Sequence, residues 1–258
     1  MRLLVLLFAI AMPVVAYFSN TGAFGPDSAT ISAMYPIVLL PAGYAFMIWG
    51  LIFLLDLAFA IWALTGIRKN DPTVNRVVPW AAAGFAMTAV WMPLYSMSQL
   101  WPCVLVIFAG MACMVRCALI LSRDSTPQHG QWMWGWLPLS LHAGWMSLAA
   151  FLNIGQAIVA GHLLSTTDQL PWALVLLAAA TITLLPLNQR MRGNIDYVLP
   201  AIWGLVAVYV EQSDGGMRGA QTAAWAALLV AALLAVQTAI LRRKYPGGLL
   251  TNPARAPG

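Results

Sequence analysis

Charge is what this chain has least of. Only 8% of its 258 residues are Asp, Glu, Lys or Arg, against about 25% in an ordinary soluble domain. That shortage excludes a water-soluble fold of this length. Three cysteines, Cys103, Cys113 and Cys117, cannot form an even-numbered disulfide framework. Cys113 and Cys117 stand one helical turn apart, but no Cys/His partner pair completes a metal site, so small buried thiols are the reading. Phosphate loops, dinucleotide fingerprints and metalloprotease motifs are missing. So is any linker long enough to divide the chain into soluble domains.

Hydrocarbon takes the place of charge: 61% of residues are hydrophobic and the mean hydropathy is +0.79. It is blocked into runs near the roughly 20 residues a helix needs to cross a bilayer. The runs do not alternate, which excludes a spanning β-barrel. The predicted fold is an all-α polytopic membrane protein of about eight spans, near 3–19, 41–64, 78–97, 102–122, 137–160, 171–188, 196–211 and 221–241. The first run is short, contains Pro13 and has small residues near Ala16, so it reads either as a retained span or as a cleaved signal peptide. The tail over 246–258 is Gly/Pro-rich and is expected to be disordered.

The few cations are unevenly placed. With a cytoplasmic N-terminus, eleven (Arg2, Arg68, Lys69, Arg76, Arg123, Arg190, Arg192, Arg242, Arg243, Lys244 and Arg255) fall on the inner side and only Arg218 on the outer. Over short loops this predicts both termini in the cytoplasm and a bacterial inner membrane. The net charge of +5 is therefore topology, and nucleic-acid binding is not expected.

Three stretches carry a pattern: "PAGYAFMIWGLIF" opens the second span, "AVWMPLYS" ends the third, and "LPLSLHAGWMSLAAFLN" fills the fifth. Their order resembles the tryptophan-rich sensory protein family, also called the translocator or peripheral-benzodiazepine-receptor family. Pro41 and Phe46 match its second-helix motif directly and Trp49 with one residue fewer before it, with Tyr44 where the family has Trp and Phe53 where it has Tyr. Trp91, Pro93 and Leu94 match the third-helix motif, with Thr88 replacing an amide one turn earlier. Trp145, Ala149, Leu152 and Asn153 match the fifth. The resemblance implies a five-helix bundle over 1–160, with three additional helices over 161–245. It also implies binding of flat apolar ligands such as porphyrins or haem-like tetrapyrroles, no required cofactor, and a homodimer or larger membrane complex.

Depth along the spans gives a separate reading. At 1.5 Å per residue, Trp49 lies about 12 Å below the outer end of its span and Trp91 about 9 Å. Trp145 lies near mid-membrane and Asn153 in the outer half. An aromatic pocket walled by Tyr44, Phe46, Trp49, Trp91 and Trp145 is expected in that outer half, with Pro93 beside it and Asn153 as a polar contact. The segment from Ser19 to Leu40 is expected to cover it as a mobile lid. Trp132, Trp134 and Trp136 read as interface anchors. Gly43, Gly50 and Gly144 read as points of close helix approach.

Three ionisable groups share the inner half: Asp56, Arg116 and His142. A charge there costs about 2.5–3.5 kcal/mol on insertion scales, so it pairs or faces water. An Asp56–Arg116 pair is expected, with a neutral Asp56 hydrogen-bonded to a neighbour as the alternative and His142 as a packing residue or polar contact. Three functions follow: a receptor or carrier for a flat apolar ligand, an accessory subunit of a membrane assembly, or an intramembrane enzyme using Asp56, Arg116 and His142. The first is preferred because no nucleophile or metal motif is present. Expected partners are membrane lipids and the small apolar ligand.

Overall fold

The computed structural model describes residues 1–245, without the side chains of residues 67 and 68; the tail over 246–258 lies outside the described residues. Among them there is no strand. Nine α-helices follow one another: α1 (Arg2–Asn20), α2 (Ser28–Met34), α3 (Ile48–Leu64), α4 (Pro72–Ser96), α5 (Leu100–Ser122), α6 (Leu137–Ala160), α7 (Leu170–Arg190), α8 (Ile195–Gln212) and α9 (Ala220–Lys244). A 3₁₀ turn, Gly43–Met47, leads into α3, and a π-helical turn, Trp132–Trp136, leads into α6.

The helix starts follow local chemistry. Asp71 accepts from the Val74 amide at 2.8 Å ahead of Pro72, whose missing N–H costs nothing at the first helical position. This cap starts α4 six residues earlier than hydropathy suggests. Asn194 caps α8 in the same way through the Tyr197 amide at 3.1 Å. Arg242, Arg243 and Lys244 close α9, where cations complement the helix dipole.

Among the described residues, seven helical units are long and apolar enough to cross a membrane: α1, α3 and α6 with their leading turns, α4, α5, α7 and α9. The expected eighth span is present as α8 but is not among them. Asp196 and Glu211 stand at its two ends and shorten its apolar stretch.

The core sits on α6, which is buried along nearly its whole length. It packs against α3, α5, α7 and α8, while α1 packs on α3 and α4, and α9 on α7 and α8. At Gly144 a Cβ would land on the Tyr197 carbonyl oxygen, so α6 and α8 meet backbone to backbone. Gly43 and Gly50 differ from expectation: a Cβ at either would meet nothing within 4 Å. Helix α8 and the residue that caps α7 also grip the segment before α3. The Ala42 amide donates to Ala207 O at 3.0 Å, Gln212 Nε2 to Leu40 O at 2.9 Å, and Gln169 Oε1 accepts from the Val38 amide at 3.0 Å. The helices beyond residue 160 thus fix the backbone that leads into the first aromatic motif.

Candidate functional site

The aromatic residues of α3, α4 and α6 meet in one cluster. Trp49 stacks on Trp91 with ring centres 6.1 Å apart and on Phe53 at 5.5 Å, and meets Trp145 edge to face at 6.1 Å. Phe46 meets Trp145 edge-on at 6.3 Å, and Trp91 stacks on Tyr95 at 4.8 Å. Such pairs each add about 0.5–1.5 kcal/mol beyond their area burial. Polar bonds fix the rings. Trp91 Nε1 donates to Asn153 Oδ1 at 2.8 Å, Tyr95 Oη donates to Gln156 Oε1 at 2.9 Å, and Ser32 on α2 lies 2.9 Å from the same hydroxyl.

Three neighbouring spaces surround this cluster. A groove of about 380 Å³ runs between α1 and the faces of α3 and α4, lined by Tyr17, Ser19, Trp49, Phe53, Trp91 and Tyr95 among others. Gly50 lines it too, which accounts for the open space around that residue. A smaller cavity of about 30 Å³ lies among Trp49, Trp91, Tyr95, Trp145, Asn153 and Gln156. The third, of about 400 Å³, lies under α2 beside Asp27, Ser32, Pro41, Phe46 and Glu211. The 380 Å³ groove is within the size range of ligand pockets.

Phe46, Trp49, Trp91, Trp145 and Asn153 all line these spaces. Tyr44 and Pro93 do not. Tyr44 belongs to the 3₁₀ turn, whose tighter winding turns it onto Trp203 of α8, ring centres 5.2 Å apart. Pro93 is two residues from both Trp91 and Tyr95, on the far side of α4 from the face they share. The segment expected as a mobile lid carries α2. Asp27 caps that helix through the Ala29 and Thr30 amides, both at 2.9 Å, and Ile31 is fully buried beneath it. Sequence reasoning missed Tyr95 and Gln156. Both could be found by helical spacing, four residues after Trp91 and three after Asn153.

The expected Asp56–Arg116 pair is not what the bundle contains. Asp56 Oδ2 lies 2.7 Å from His142 Nδ1, both side chains fully buried, while Arg116 is exposed on α5. Helix rotation decides this: Met114, Cys117 and Ala118 turn inward, leaving Arg116 on the outer face. His142 Nε2 lies 3.2 Å from Thr88 Oγ1, which donates its proton to Gly84 O at 3.0 Å. With that proton committed, Nε2–H is the donor to Thr88. The proton on the Asp56–His142 contact then belongs to either partner, and the pair is net neutral both ways. Either way the contact carries no net charge into the bundle, so the acid is paired as an ionisable group at this depth is expected to be.

Asp56, His142 and Thr88 have the order of an acid–base–hydroxyl triad. However, Thr88 aims its proton away from His142, and none of the three lines the cavities described above. The geometry therefore presents no activated nucleophile to those spaces. His142 instead supports the cluster from below, stacked on Phe85 at 6.0 Å and edge-on to Trp49 at 5.9 Å.

At the opposite end of α6, Trp132 Nε1 donates to Asp196 Oδ2 at 3.2 Å and Trp136 Nε1 to Ser122 Oγ at 3.1 Å. These two tryptophans tie helices together. Trp134, 37% exposed, is free to anchor at an interface.

Comparison with known proteins gives one result. The chain matches the family model described as TSPO-like protein over residues 2–240, which carries the match past residue 160 and into α9. No curated protein and no solved structure matches it significantly. With seven membrane-length apolar helices, this is an integral membrane protein, and an apolar bundle built around aromatic clusters fits a membrane receptor or carrier. A match that covers most of the chain, together with three aromatic motifs converging from α3, α4 and α6, places the chain in the TSPO-like protein family.

Proposed function

We propose that this protein is a membrane receptor or carrier that takes a flat, largely apolar ligand, tetrapyrrole-like or lipidic, into the groove between α1, α3 and α4. The observation that carries this reading is the stacked Trp49–Trp91 pair beside a space of about 380 Å³. Aromatic faces held by hydrogen bonds at their edges suit a planar ligand and lose little freedom when it binds. The ligand is held without covalent chemistry and the chain needs no cofactor. The base asymmetry supports an inner-membrane location with both termini in the cytoplasm, which puts α2 and the groove mouth outside. The working form is a homodimer or part of a larger membrane complex.

Titration of the purified protein in lipid nanodiscs with protoporphyrin IX tests the reading. Saturable, stoichiometric quenching of tryptophan fluorescence is the expected result. Quenching that rises linearly with porphyrin, as in protein-free discs, would sink it.

A further inference from the structure

Five cations meet at one end of the last three helices. Arg190 ends α7, Arg192 lies in the turn before α8, and Arg242, Arg243 and Lys244 end α9. Packing brings these pieces of chain together. Gly193 has φ +79°, and a Cβ there would stand 3.0 Å from Leu241 Cβ and 3.1 Å from Thr238 O, so the turn lies directly on the last turns of α9. Arg192 before it also takes a left-handed backbone, φ +57°, which is uncommon for a long side chain. The amides of Arg192 and Gly193 hold this shape by donating to Gln189 O and Asn188 O, each at 3.0 Å. The Arg192 guanidinium carbon is 5.2 Å from the centre of the Tyr245 ring, and Lys244 Nζ is 5.6 Å from the same centre. A ring face attracts a cation but carries no net charge, so it gathers the two without neutralising either.

An excess of cations on one side is what topology requires, but topology does not require them to converge. At the inner end of α1 the protein itself uses the cation: Arg2 donates to Ala63 O, to Lys69 O at 3.1 Å and to Asn75 Oδ1 at 2.6 Å. At the ends of α7 and α9 the side chains of Arg190, Arg192, Arg243 and Lys244 are exposed. The sequence over 186–200 and 237–245 supplies one carboxylate, Asp196, which accepts from Trp132 Nε1 at 3.2 Å and attracts Arg242. Below the cations lies hydrocarbon. Leu229, Leu233, Val236 and Ile240 are all exposed and step by three and four along α9, and Arg243 is the next member of that stripe. At 1.5 Å per residue it stands about 4.5 Å beyond Ile240. A molecule that meets both surfaces at once carries a phosphate on acyl chains.

We propose that the inner ends of α7 and α9, with the turn between α7 and α8, bind the headgroup of an anionic phospholipid. Its phosphodiester sits among Arg192, Arg243 and Lys244, and an acyl chain runs along the stripe that ends at Ile240. Guanidinium forks suit phosphate oxygens. A zwitterionic headgroup brings its own ammonium among these cations and is disfavoured by like charge. This site lies at the opposite end of the bundle from the groove and needs no planar ligand, so a failed porphyrin titration leaves it untouched. The orientation proposed above decides only which leaflet supplies the lipid.

Native mass spectrometry of the full chain in neutral detergent, titrated with dioleoyl-phosphatidylglycerol or dioleoyl-phosphatidylcholine, tests the site. One phosphatidylglycerol should be retained at a concentration at least tenfold lower than phosphatidylcholine requires. The double variant Arg192→Gln/Arg243→Gln should weaken it by more than tenfold, at about fivefold for each cation removed near a membrane surface. Lys69→Gln/Arg76→Gln makes the same change in net charge at the α3–α4 end and should leave retention unchanged. Tyr245→Leu keeps every charge but removes the shared ring, and should weaken phosphatidylglycerol severalfold even if the double arginine variant does not fold. Equal retention of the two lipids overturns the proposal, as does equal weakening by the two double variants, which would reduce the effect to net charge. Displacement of the lipid by millimolar inorganic phosphate would assign the cations to a soluble anion and overturn the lipid.

Discussion

His142 Nδ1 lies 2.7 Å from Asp56 Oδ2 at the centre of the bundle, and neither side chain touches solvent. Removing one partner strands the other. Asp56→Leu or His142→Leu should each destabilise the protein by about 3–5 kcal/mol, the range for breaking a buried pair. The double variant should cost less than the sum, with a coupling of about 0.5–3 kcal/mol. Arg116→Ala should stay within about 0.5 kcal/mol, because that side chain is exposed. Chemical denaturation in one detergent checks all four variants. Additive losses for the first two, or a large loss for Arg116→Ala, would contradict the pairing.

Gly144 makes a second prediction. Its hydrogen points at the Tyr197 carbonyl, and a methyl group there would also press on the Pro200 ring. Backbone cannot yield as a flexible side chain can, so Gly144→Ala should cost at least the 1–3 kcal/mol typical of overpacking. The damage should fall on the α6–α8 contact and speed proteolysis between residues 161 and 169. Gly43→Ala, where a Cβ meets nothing within 4 Å, is the matched control and should change little. Equal behaviour of the two variants would mean that α8 does not dock on α6 as described.

These two residues also show how much the sequence reveals. Hydropathy made the helices legible because each run is as long as a membrane is thick, and rise per residue placed Trp49, Trp91 and Trp145 in one layer before any contact was known. Rotation about each helix axis is different information. Arg116 and His142 stand at similar depth from the inner end, yet α6 turns His142 inward and α5 turns Arg116 out. Thr88 looked like a loss relative to the family motif and proves to be the group that receives His142 Nε2–H. Tyr44 was misplaced because a 3₁₀ turn, not an α-helix, carries it, and nothing in hydropathy marks that change of winding. Gln156 was overlooked because its role depends on Tyr95, 61 positions away, which in turn meets Ser32 of α2 across another 63, and no local pattern encodes either contact.

A third prediction concerns α2. Hydrogen bonds from Thr30, backbone first, hold the Asp27 carboxyl below the usual carboxylate range. A group whose value is lowered on folding contributes stability above its unfolded value, near 3.9, and loses it as pH falls through the folded one. The α2 cap should therefore be intact from neutral pH down to about 4 and fail only below that. Asp27→Ala should remove it at every pH, raising amide exchange over residues 28–34 by about fivefold, the effect of losing a helix cap. Hydrogen exchange read by mass spectrometry decides the matter. Unchanged exchange in Asp27→Ala at pH 7 would show that burial of Ile31, and not the cap, holds α2 in place.

The last prediction separates wall residues from anchors. Trp49 and Trp91 form the stacked side of the groove, whereas Trp134 sits at the other end of α6 and is 37% exposed. All three are tryptophans in membrane-length helical units, so composition alone would treat them alike. If the groove holds the planar ligand, Trp49→Ala and Trp91→Ala each remove an aromatic face from it and should weaken binding by about 1–3 kcal/mol. Trp134→Ala should leave binding nearly unchanged, because no described cavity touches that residue. Trp91→Ala carries a complication that makes it informative: it frees Asn153 Oδ1 as well as emptying the wall. Trp91→Phe keeps a smaller aromatic face and loses the N–H, so a loss well below that of Trp91→Ala shows that a ring face at this position supports binding without the bond to Asn153. Affinities for protoporphyrin IX, measured in protein shown to be folded by its denaturation midpoint, supply the comparison. Equal losses at Trp49, Trp91 and Trp134, or none at any, would reduce the cluster to helix packing. In that case the apolar surface of the last three helices, as a docking face in a larger assembly, becomes the better account of the protein.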